Sequence, residues 1–190
     1  MIFNFNDKQR KIILNYARIA IESVFDPALK PHIDDMNGML SQPGACFVTL
    51  ETVPDGHLRG CIGNISAMEP LGRNISRNAI NAAFHDPRFP KMIACELDEI
   101  EISISVLTPP KSIPSGDDFI VGEHGIILEC VGRHAVFLPQ VAPEQGWDRE
   151  QTLTQLCLKA GLPTDAWRRP DAKLEIFTAI VFSESDYNKA

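Results

Sequence analysis

The sequence predicts an α+β fold, with antiparallel and mixed sheets packed against about three main helices. Helical and strand patterns follow one another irregularly along the 190 residues, unlike the regular strand–helix repeat of a doubly wound sheet. The apolar residues make up 44% of the chain and are scattered, which suits a sizeable core and argues against disorder. We expect one domain over residues 1–190, with two lobes that share a core and a smaller lobe inserted or appended.

A helix and a hairpin are predicted in the first third of the chain. Apolar residues recur at helical spacing over 7–25, and Asn6 or Asp7 can cap the first turn. Residues 45–50 are β-prone, and a proline-aspartate-glycine turn leads the chain back. The return arm of this hairpin runs into Leu58–Gly63.

A second helix, a loop and a strand follow the hairpin. Residues 70–84 repeat helically, and Pro70 suits the first turn. The prolines of 85–90 cannot continue a helix, because each lacks an amide hydrogen and restricts the residue before it. Alternation of branched apolar and polar residues over 101–107 then predicts a strand with one buried face.

The second half of the chain predicts a meander, a helix and a final strand. Three β-prone runs form the meander, at residues 119–121, 125–130 and 135–138. Residues 148–160 repeat helically and are followed by a glycine and a proline. Residues 174–182 predict one last strand.

Composition makes several function classes unfavourable. A formal net charge of −7 opposes non-specific binding to nucleic acid or to an anionic membrane. No apolar run approaches the ~20 residues that span a bilayer, and the N-terminus lacks the features of a signal peptide. The five cysteines are odd in number, widely spaced and mostly within apolar stretches, which favours reduced thiols. We therefore expect a cytoplasmic protein without disulfides and without a membrane contact.

The hexapeptide Leu58–Gly63 is the most unusual segment of the chain. Gly60 and Gly63 allow a sharp bend or the close approach of a ligand to backbone amides. Cys61 is then a candidate nucleophile, and Arg59 would favour its thiolate as a candidate catalytic partner. Alternatively, the cysteine is a small buried side chain, the glycines let strands pack closely and the arginine pairs with a carboxylate.

At this hexapeptide the sequence resembles the AMMECR family, whose bacterial and archaeal members are called AmmeMemoRadiSam system protein A. The resemblance continues almost to the C-terminus through blocks that include Asp86-Pro87-Arg88-Phe89-Pro90, Ser103-Ile104-Ser105-Val106-Leu107 and Leu138-Pro139-Gln140-Val141. It implies an α+β fold with two sheet-containing lobes. It also implies an association with a Memo-type protein and a radical S-adenosylmethionine protein, but it fixes no reaction.

The loop after the second predicted helix supplies two candidate binding residues of opposite charge. Asp86 and Arg88 flank a proline that would hold them in place, either to orient Arg59, to bind an anionic substrate or to form a structural ion pair. A helix of about 15 residues spans only ~22 Å, so this loop can return toward the hairpin. We expect Arg59, Asp86 and Arg88 to meet near Cys61.

The remaining polar motifs indicate neither a metal site nor a cofactor. The five histidines show no metal-ligand spacing, and no paired CxxC or phosphate-binding glycine loop is present. Gln140 precedes Glu144 and Trp147, and these three either line one pocket or form a polar loop pinned by the indole. Gln140 is therefore a further candidate for substrate binding.

Three functions remain open from the sequence, and whether the chain is an enzyme is one of the open points. The first is a cysteine-dependent enzyme with a small-molecule site around Cys61. The second is a non-catalytic partner or adaptor of the Memo-type and radical S-adenosylmethionine proteins, with the hexapeptide as a recognition surface. The third is a nucleic-acid binder, which the acidic charge makes unfavourable.

Overall fold

Two compact units make up the computed structural model, which describes residues 3–33 and 38–187. The first unit comprises Met1–Leu107 and Ile180–Ala190, and the second comprises Thr108–Ala179. Each unit contains one four-stranded sheet. Both sheets are antiparallel and are accompanied by three helices of seven or more residues in the described part of the chain, so the predicted α+β class is confirmed.

The α-helices and β-strands follow one another along the chain in this order: α1 (Asp7–Glu22), β1 (Ala45–Thr52), β2 (Leu58–Gly63), α2 (Leu71–Phe84), β3 (Ile100–Leu107), β4 (Lys111–Ile113), β5 (Gly125–Cys130), β6 (Arg133–Phe137), α3 (Val141–Gln145), α4 (Arg149–Lys159), β7 (Lys173–Phe177) and β8 (Ala179–Ser183). The strand order is β2-β1-β3-β8 in the sheet of the first unit and β4-β7-β5-β6 in the sheet of the second.

Helix α1 begins at the predicted cap and ends earlier than predicted. The Asn6 side chain accepts the backbone N–H of Gln9 at 3.0 Å, and the Gln9 side chain accepts the N–H of Asn6 at 2.9 Å. This reciprocal pair satisfies two amides that the first turn leaves unbonded. At the other end Val24 and Phe25 donate to carbonyls only three residues back, so the chain tightens and leaves the helix.

The core of the first unit lies between one face of its sheet and the two helices α1 and α2. Alternate residues of β1 and β3, such as Val48, Leu50, Ile102 and Ile104, are fully buried on this face. Thr49 and its neighbours in register lie on the opposite face. The predicted hairpin, second helix and third strand are thus present, and the sheet acquires one apolar and one polar face.

Two of the strands predicted between residues 119 and 182 differ from the structure. No strand forms at residues 119–121, because Phe119 ends a one-turn 3₁₀ helix and the chain then turns. The single strand predicted at 174–182 is two strands, β7 and β8, which belong to different sheets. The two strands are separated at Thr178. Its backbone N–H donates to the Thr108 hydroxyl at 2.9 Å, and its carbonyl accepts the Thr108 backbone N–H at 2.9 Å.

Candidate functional site

The hexapeptide forms β2, an edge strand that pairs with β1 alone in its sheet. Cys61 lies opposite Thr49, whose hydroxyl donates to the Cys61 Sγ at 3.2 Å. Gly60 faces α2, so the thiol of the next residue lies on the polar face of the sheet. Cys61 is partly exposed there.

The loop after α2 bonds to the free edge of β2 at Cys61. The backbone N–H of Cys61 donates to Asp86 Oδ2 at 2.9 Å, and the Cys61 carbonyl accepts Arg88 Nη2 at 3.3 Å. On an edge strand, such groups are open to pairing with a further strand. Here two side chains satisfy them, so the predicted meeting of Asp86 and Arg88 at the hexapeptide is present.

Asp86 and Arg88 form an ion pair with one buried and one exposed member. Arg88 donates to Asp86 through Nε at 3.0 Å, Nη2 at 2.7 Å and its backbone N–H at 3.1 Å. The Asp86 side chain is 1% exposed and the Arg88 side chain is 54% exposed. The Arg88 guanidinium holds the pKa of Asp86 well below its usual range. A buried carboxylate thus fixes a half-exposed cation beside the cysteine.

Arg59 points away from the position expected for it, because it is the extra residue of a β-bulge. Leu50 of β1 lies opposite Gly60 and Glu51 lies opposite Leu58, which leaves Arg59 without a partner in the register. A bulge re-aims the side chains at its position. Only 7% of the residue remains exposed.

The buried Arg59 guanidinium binds the far end of the same loop. It pairs with both carboxylate oxygens of Glu96, through Nε at 2.7 Å and Nη2 at 3.0 Å, and Nη2 also donates to the Pro90 carbonyl at 3.1 Å. Its Nη1 is buried without a hydrogen-bond partner among residues 3–33 and 38–187. This contact with Glu96 corresponds to the carboxylate pairing that was the alternative interpretation of Arg59.

The surroundings of Cys61 keep its sulfur protonated at neutral pH. Burial raises the pKa of the Cys61 thiol, and the carboxylates of Asp86 and Glu51 act in the same direction. The hydroxyl of Thr49 and the charge of Arg88 oppose this shift without overcoming it. The arginine that acts on this thiol is Arg88 of the loop, whereas the sequence suggested Arg59 of β2. Burial outweighs both favourable contacts.

The other cysteines differ widely in environment. Burial raises the pKa of Cys46 to about 12, and Cys130 and Cys157 are also buried. Cys95 is exposed in a short 3₁₀ helix, Ala94–Glu99. Cys61 is thus intermediate in accessibility.

Both glycines of the hexapeptide lie against other parts of the protein. A Cβ atom added to Gly60 would lie 2.1 Å from the carbonyl oxygen of Ala82, and one added to Gly63 would lie 2.2 Å from the ring of Phe47. Neither glycine has a positive φ. Their lack of a side chain lets β2 approach α2 and β1 closely, and the space beside each is filled by protein atoms.

Gln140 belongs to the second unit, whereas the hexapeptide belongs to the first. It immediately precedes α3, and its Oε1 is buried without a hydrogen-bond partner in the described chain. The nearby Trp147 ring packs against Phe137, with 5.7 Å between ring centroids. This contact fits a loop held by its tryptophan.

A buried polar cluster next to the hexapeptide was not predicted from the sequence. Asn74 and Asn78 of α2 are 0% and 2% exposed. Asn74 Oδ1 accepts the Cys46 N–H at 3.0 Å, and Asn78 Nδ2 donates to the Cys46 carbonyl at 3.0 Å. Both also donate to Asn64 Oδ1, directly after β2. The sequence feature that could have indicated this cluster is the pair of asparagines four residues apart on the apolar stripe of a helix.

Three further observations concern the described residues as a group. They contain no cluster of three or more histidine, cysteine or acidic side chains placed to hold a metal ion. None of their helices is long and apolar enough to cross a membrane. The arginine pair near the C-terminus is matched by carboxylates, with Arg168 bonded to Glu150 and Arg169 to Asp171.

Comparison with known proteins places the chain in a family. The family model AMMECR1 matches residues 14–182. A Methanopyrus kandleri protein is 39% identical over 94% of this chain and 90% of its own, and a Methanocaldococcus jannaschii protein is 39% identical over 90% and 88%. The crystal structure of an uncharacterised Pyrococcus horikoshii protein matches with a TM-score of 0.87 and 36% identity, over 96% of this chain and 94% of that one. The chain belongs to the AMMECR1 family.

Proposed function

We propose that this protein is a cysteine-dependent enzyme that binds a small carboxylate-bearing molecule at β2. The observation that supports this proposal is the fixed relation between Cys61 and Arg88. One buried carboxylate, that of Asp86, accepts both the backbone N–H of Cys61 and the guanidinium of Arg88. The backbone of the cysteine and the cation are therefore bound by the same group, which suits a site that must place a substrate against a nucleophile.

The free part of the Arg88 side chain favours an anionic ligand. Asp86 occupies Nε and Nη2, whereas Nη1 makes no hydrogen bond to any residue that the structure describes. A guanidinium presents its donors in a planar fork that matches a carboxylate. Just over half of the Arg88 side chain is exposed, which supports access of a ligand to the guanidinium.

The chemistry assigned to Cys61 is nucleophilic attack from a thiol that is neutral at rest. Its sulfur would add to the electrophilic carbon of a C=O or C=C double bond in the bound molecule. The π electron pair of that bond moves to its other atom, which takes up through water the proton that the thiol releases. The Thr49 hydroxyl, which donates to Sγ at 3.2 Å, stabilises the thiolate as it forms. Since burial raises the pKa of Cys61, the rate of this step should increase with pH above neutrality.

The alternative function is that of a non-catalytic partner of a Memo-type protein and a radical S-adenosylmethionine protein. The protonated thiol supports it, and so does the ion pair that closes the edge of β2. In this case Asp86 and Arg88 maintain the shape of a recognition surface, and Cys61 forms no bond to a substrate. The enzyme binds a small carboxylate-bearing molecule beside Cys61 and Arg88, whereas the adaptor binds none there.

Protection of Cys61 from alkylation tests the proposed function. In a Cys95→Ser background, the rate of Cys61 modification by iodoacetamide is measured with increasing acetate, malonate or glutarate. We expect saturable protection by at least one of them, lost in Arg88→Gln and kept in the control Arg73→Gln, whose side chain is 80% exposed on α2. If none of the three protects, or if protection survives Arg88→Gln, the adaptor function is favoured.

A further inference from the structure

Phe47 of β1 is an aromatic residue on the same face of the sheet as the Cys61 thiol. It lies two residues before Thr49, and side chains two residues apart on a strand point to the same face. Val48, between them, is fully buried in the core on the opposite face. Among the described residues, Phe47 belongs to neither hydrophobic core, and it remains partly exposed. Core packing therefore does not account for an aromatic ring at this position.

The Phe47 ring lies over Gly63 of β2. The two residues are partners in the register of β1 and β2. A Cβ atom added to Gly63 would lie 2.2 Å from Cγ and 2.3 Å from Cδ1 of Phe47, so the ring fills the place of the side chain that glycine lacks. Cys61 and Gly63 are successive positions on one face of β2, about 7 Å apart along the strand. The Phe47 ring is therefore the next side chain to that of Cys61 on this face.

The groups around Cys61 consequently differ in chemistry from one side to another. The Thr49 hydroxyl lies opposite on β1 and donates to Sγ at 3.2 Å. Arg88 donates to the Cys61 carbonyl at 3.3 Å from the free edge of β2. The aromatic ring of Phe47 lies on the third side, over Gly63. A ligand that is held by Arg88 and contacts the sulfur thus has an aromatic surface beside it.

We propose that Phe47 is a binding residue of this site, and that it selects carboxylates joined directly to a planar, unsaturated group. This inference rests on the proposed function, which supplies the carboxylate at Arg88 and the addition of the thiol to a double bond. Aromatic rings stack on flat π systems in offset or edge-to-face arrangements, and this attraction adds to the burial of apolar area. A double bond conjugated with a carboxylate is flat, so one planar unit provides both the stacking surface and the carbon that the sulfur attacks.

The test compares benzoate with cyclohexanecarboxylate as protectants of Cys61 against iodoacetamide, in the Cys95→Ser background. Each carries one carboxylate on a six-membered carbon ring, but only benzoate is planar and unsaturated. Neither compound reacts with a thiol, so protection measures binding alone. We expect benzoate to protect at a concentration roughly threefold to tenfold lower, because only benzoate can stack on the Phe47 ring.

Substitution of Phe47 assigns this preference to its ring. In Phe47→Leu the site keeps an apolar side chain and Arg88, so both compounds should still protect, but at equal concentrations. Tyr187→Leu is the matched control, because Tyr187 is a partly exposed aromatic residue after β8, at the opposite edge of the sheet from β2. It should keep the preference of the wild-type protein. If Phe47→Leu does not fold, a nuclear Overhauser effect between the ring protons of benzoate and Phe47 in the wild-type protein replaces it, and its absence overturns the inference.

The outcomes separate this inference from the proposed function. Equal protection by the two compounds in the wild-type protein overturns the inference, as does a preference for benzoate that persists in Phe47→Leu or that Tyr187→Leu also removes. In each of these cases, carboxylate protection that is lost in Arg88→Gln leaves the proposed function standing. If no carboxylate protects Cys61, both proposals fail.

Discussion

The carboxylate of Asp86 accepts the backbone N–H of Cys61 at 2.9 Å across the free edge of β2. The Asp86 side chain is 1% exposed, so this bond and the ion pair to Arg88 are shielded from water. A side chain thereby takes the place that a further strand would occupy in the sheet. Through these two contacts Asp86 holds Cys61 of β2, the loop after α2 and the exposed Arg88 guanidinium in fixed positions.

Replacing Asp86 should destabilise the protein markedly. Asp86→Asn keeps the shape of the side chain but removes the charge that balances Arg88, and we expect a loss of about 2 to 4 kcal/mol in the free energy of unfolding. Urea denaturation measures this change. Asp171→Asn, at an ion pair on the surface, should leave the free energy nearly unchanged. A loss at Asp86 no larger than at Asp171 would show that the buried bonds contribute little.

The same carboxylate should make stability depend on acid pH. Its folded-state pKa is lowered, so its contribution is complete above the ordinary aspartate pKa and is lost as the pH falls below about 4. Between pH 5 and pH 2, the wild-type protein should therefore lose more unfolding free energy than Asp86→Asn. Chemical denaturation at several pH values checks this. If the unfolding free energies of the two proteins fell equally between pH 5 and pH 2, the lowered pKa of Asp86 would be contradicted.

Gly60, which lies against α2, should not accept a side chain without a loss of stability. In Gly60→Ala the new methyl group would meet the Ala82 carbonyl, and the resulting backbone shift should cost about 3 kcal/mol or more. Gly72→Ala is the control, because the nearest atom to its added Cβ is 3.5 Å away and alanine favours a helix. Thermal unfolding should show a large decrease for the first variant and little change or an increase for the second. Equal melting temperatures would refute the close packing.

Alkylation of the native protein should follow exposure and pKa together. Cys95 is exposed and should react first, and the partly exposed Cys61, whose pKa is raised, should react more slowly. Cys46 should react only after unfolding, since burial raises its pKa to about 12. Peptide mass spectrometry during a time course of iodoacetamide labelling provides the order. Labelling of Cys46 before Cys61 in folded protein would be inconsistent with the structure.

The sequence predicted those parts of the fold that depend on local signals. Helix α1 has a capping pair and a clear apolar stripe, and β3 has a strict alternation, so each could be recognised within one segment. The return of Asp86 to Cys61 followed from the length of α2 and the rigidity of the loop. Local patterning and chain geometry were sufficient for these features.

The features that escaped prediction depend on residues far apart in the chain. The direction of Arg59 is set by a bulge, and a bulge is visible only in the register with Leu50 and Glu51. The break between β7 and β8 depends on bonds from Thr178 to Thr108, seventy residues earlier. The raised pKa of Cys61 reflects its burial, and burial depends on the elements that pack around the thiol rather than on its neighbours in the sequence.

The most direct test of the central claim, that Arg88 provides an anion site beside the Cys61 thiol, compares two alkylating reagents of similar size. The ratio of the iodoacetate rate to the iodoacetamide rate is measured at Cys61 and, within the same protein, at the exposed Cys95. We predict a ratio several-fold higher at Cys61, because Arg88 attracts the carboxylate of iodoacetate. In Arg88→Gln the two ratios should become equal. Equal ratios in the wild-type protein, or an elevated ratio at Cys61 that persists in Arg88→Gln, would contradict the claim.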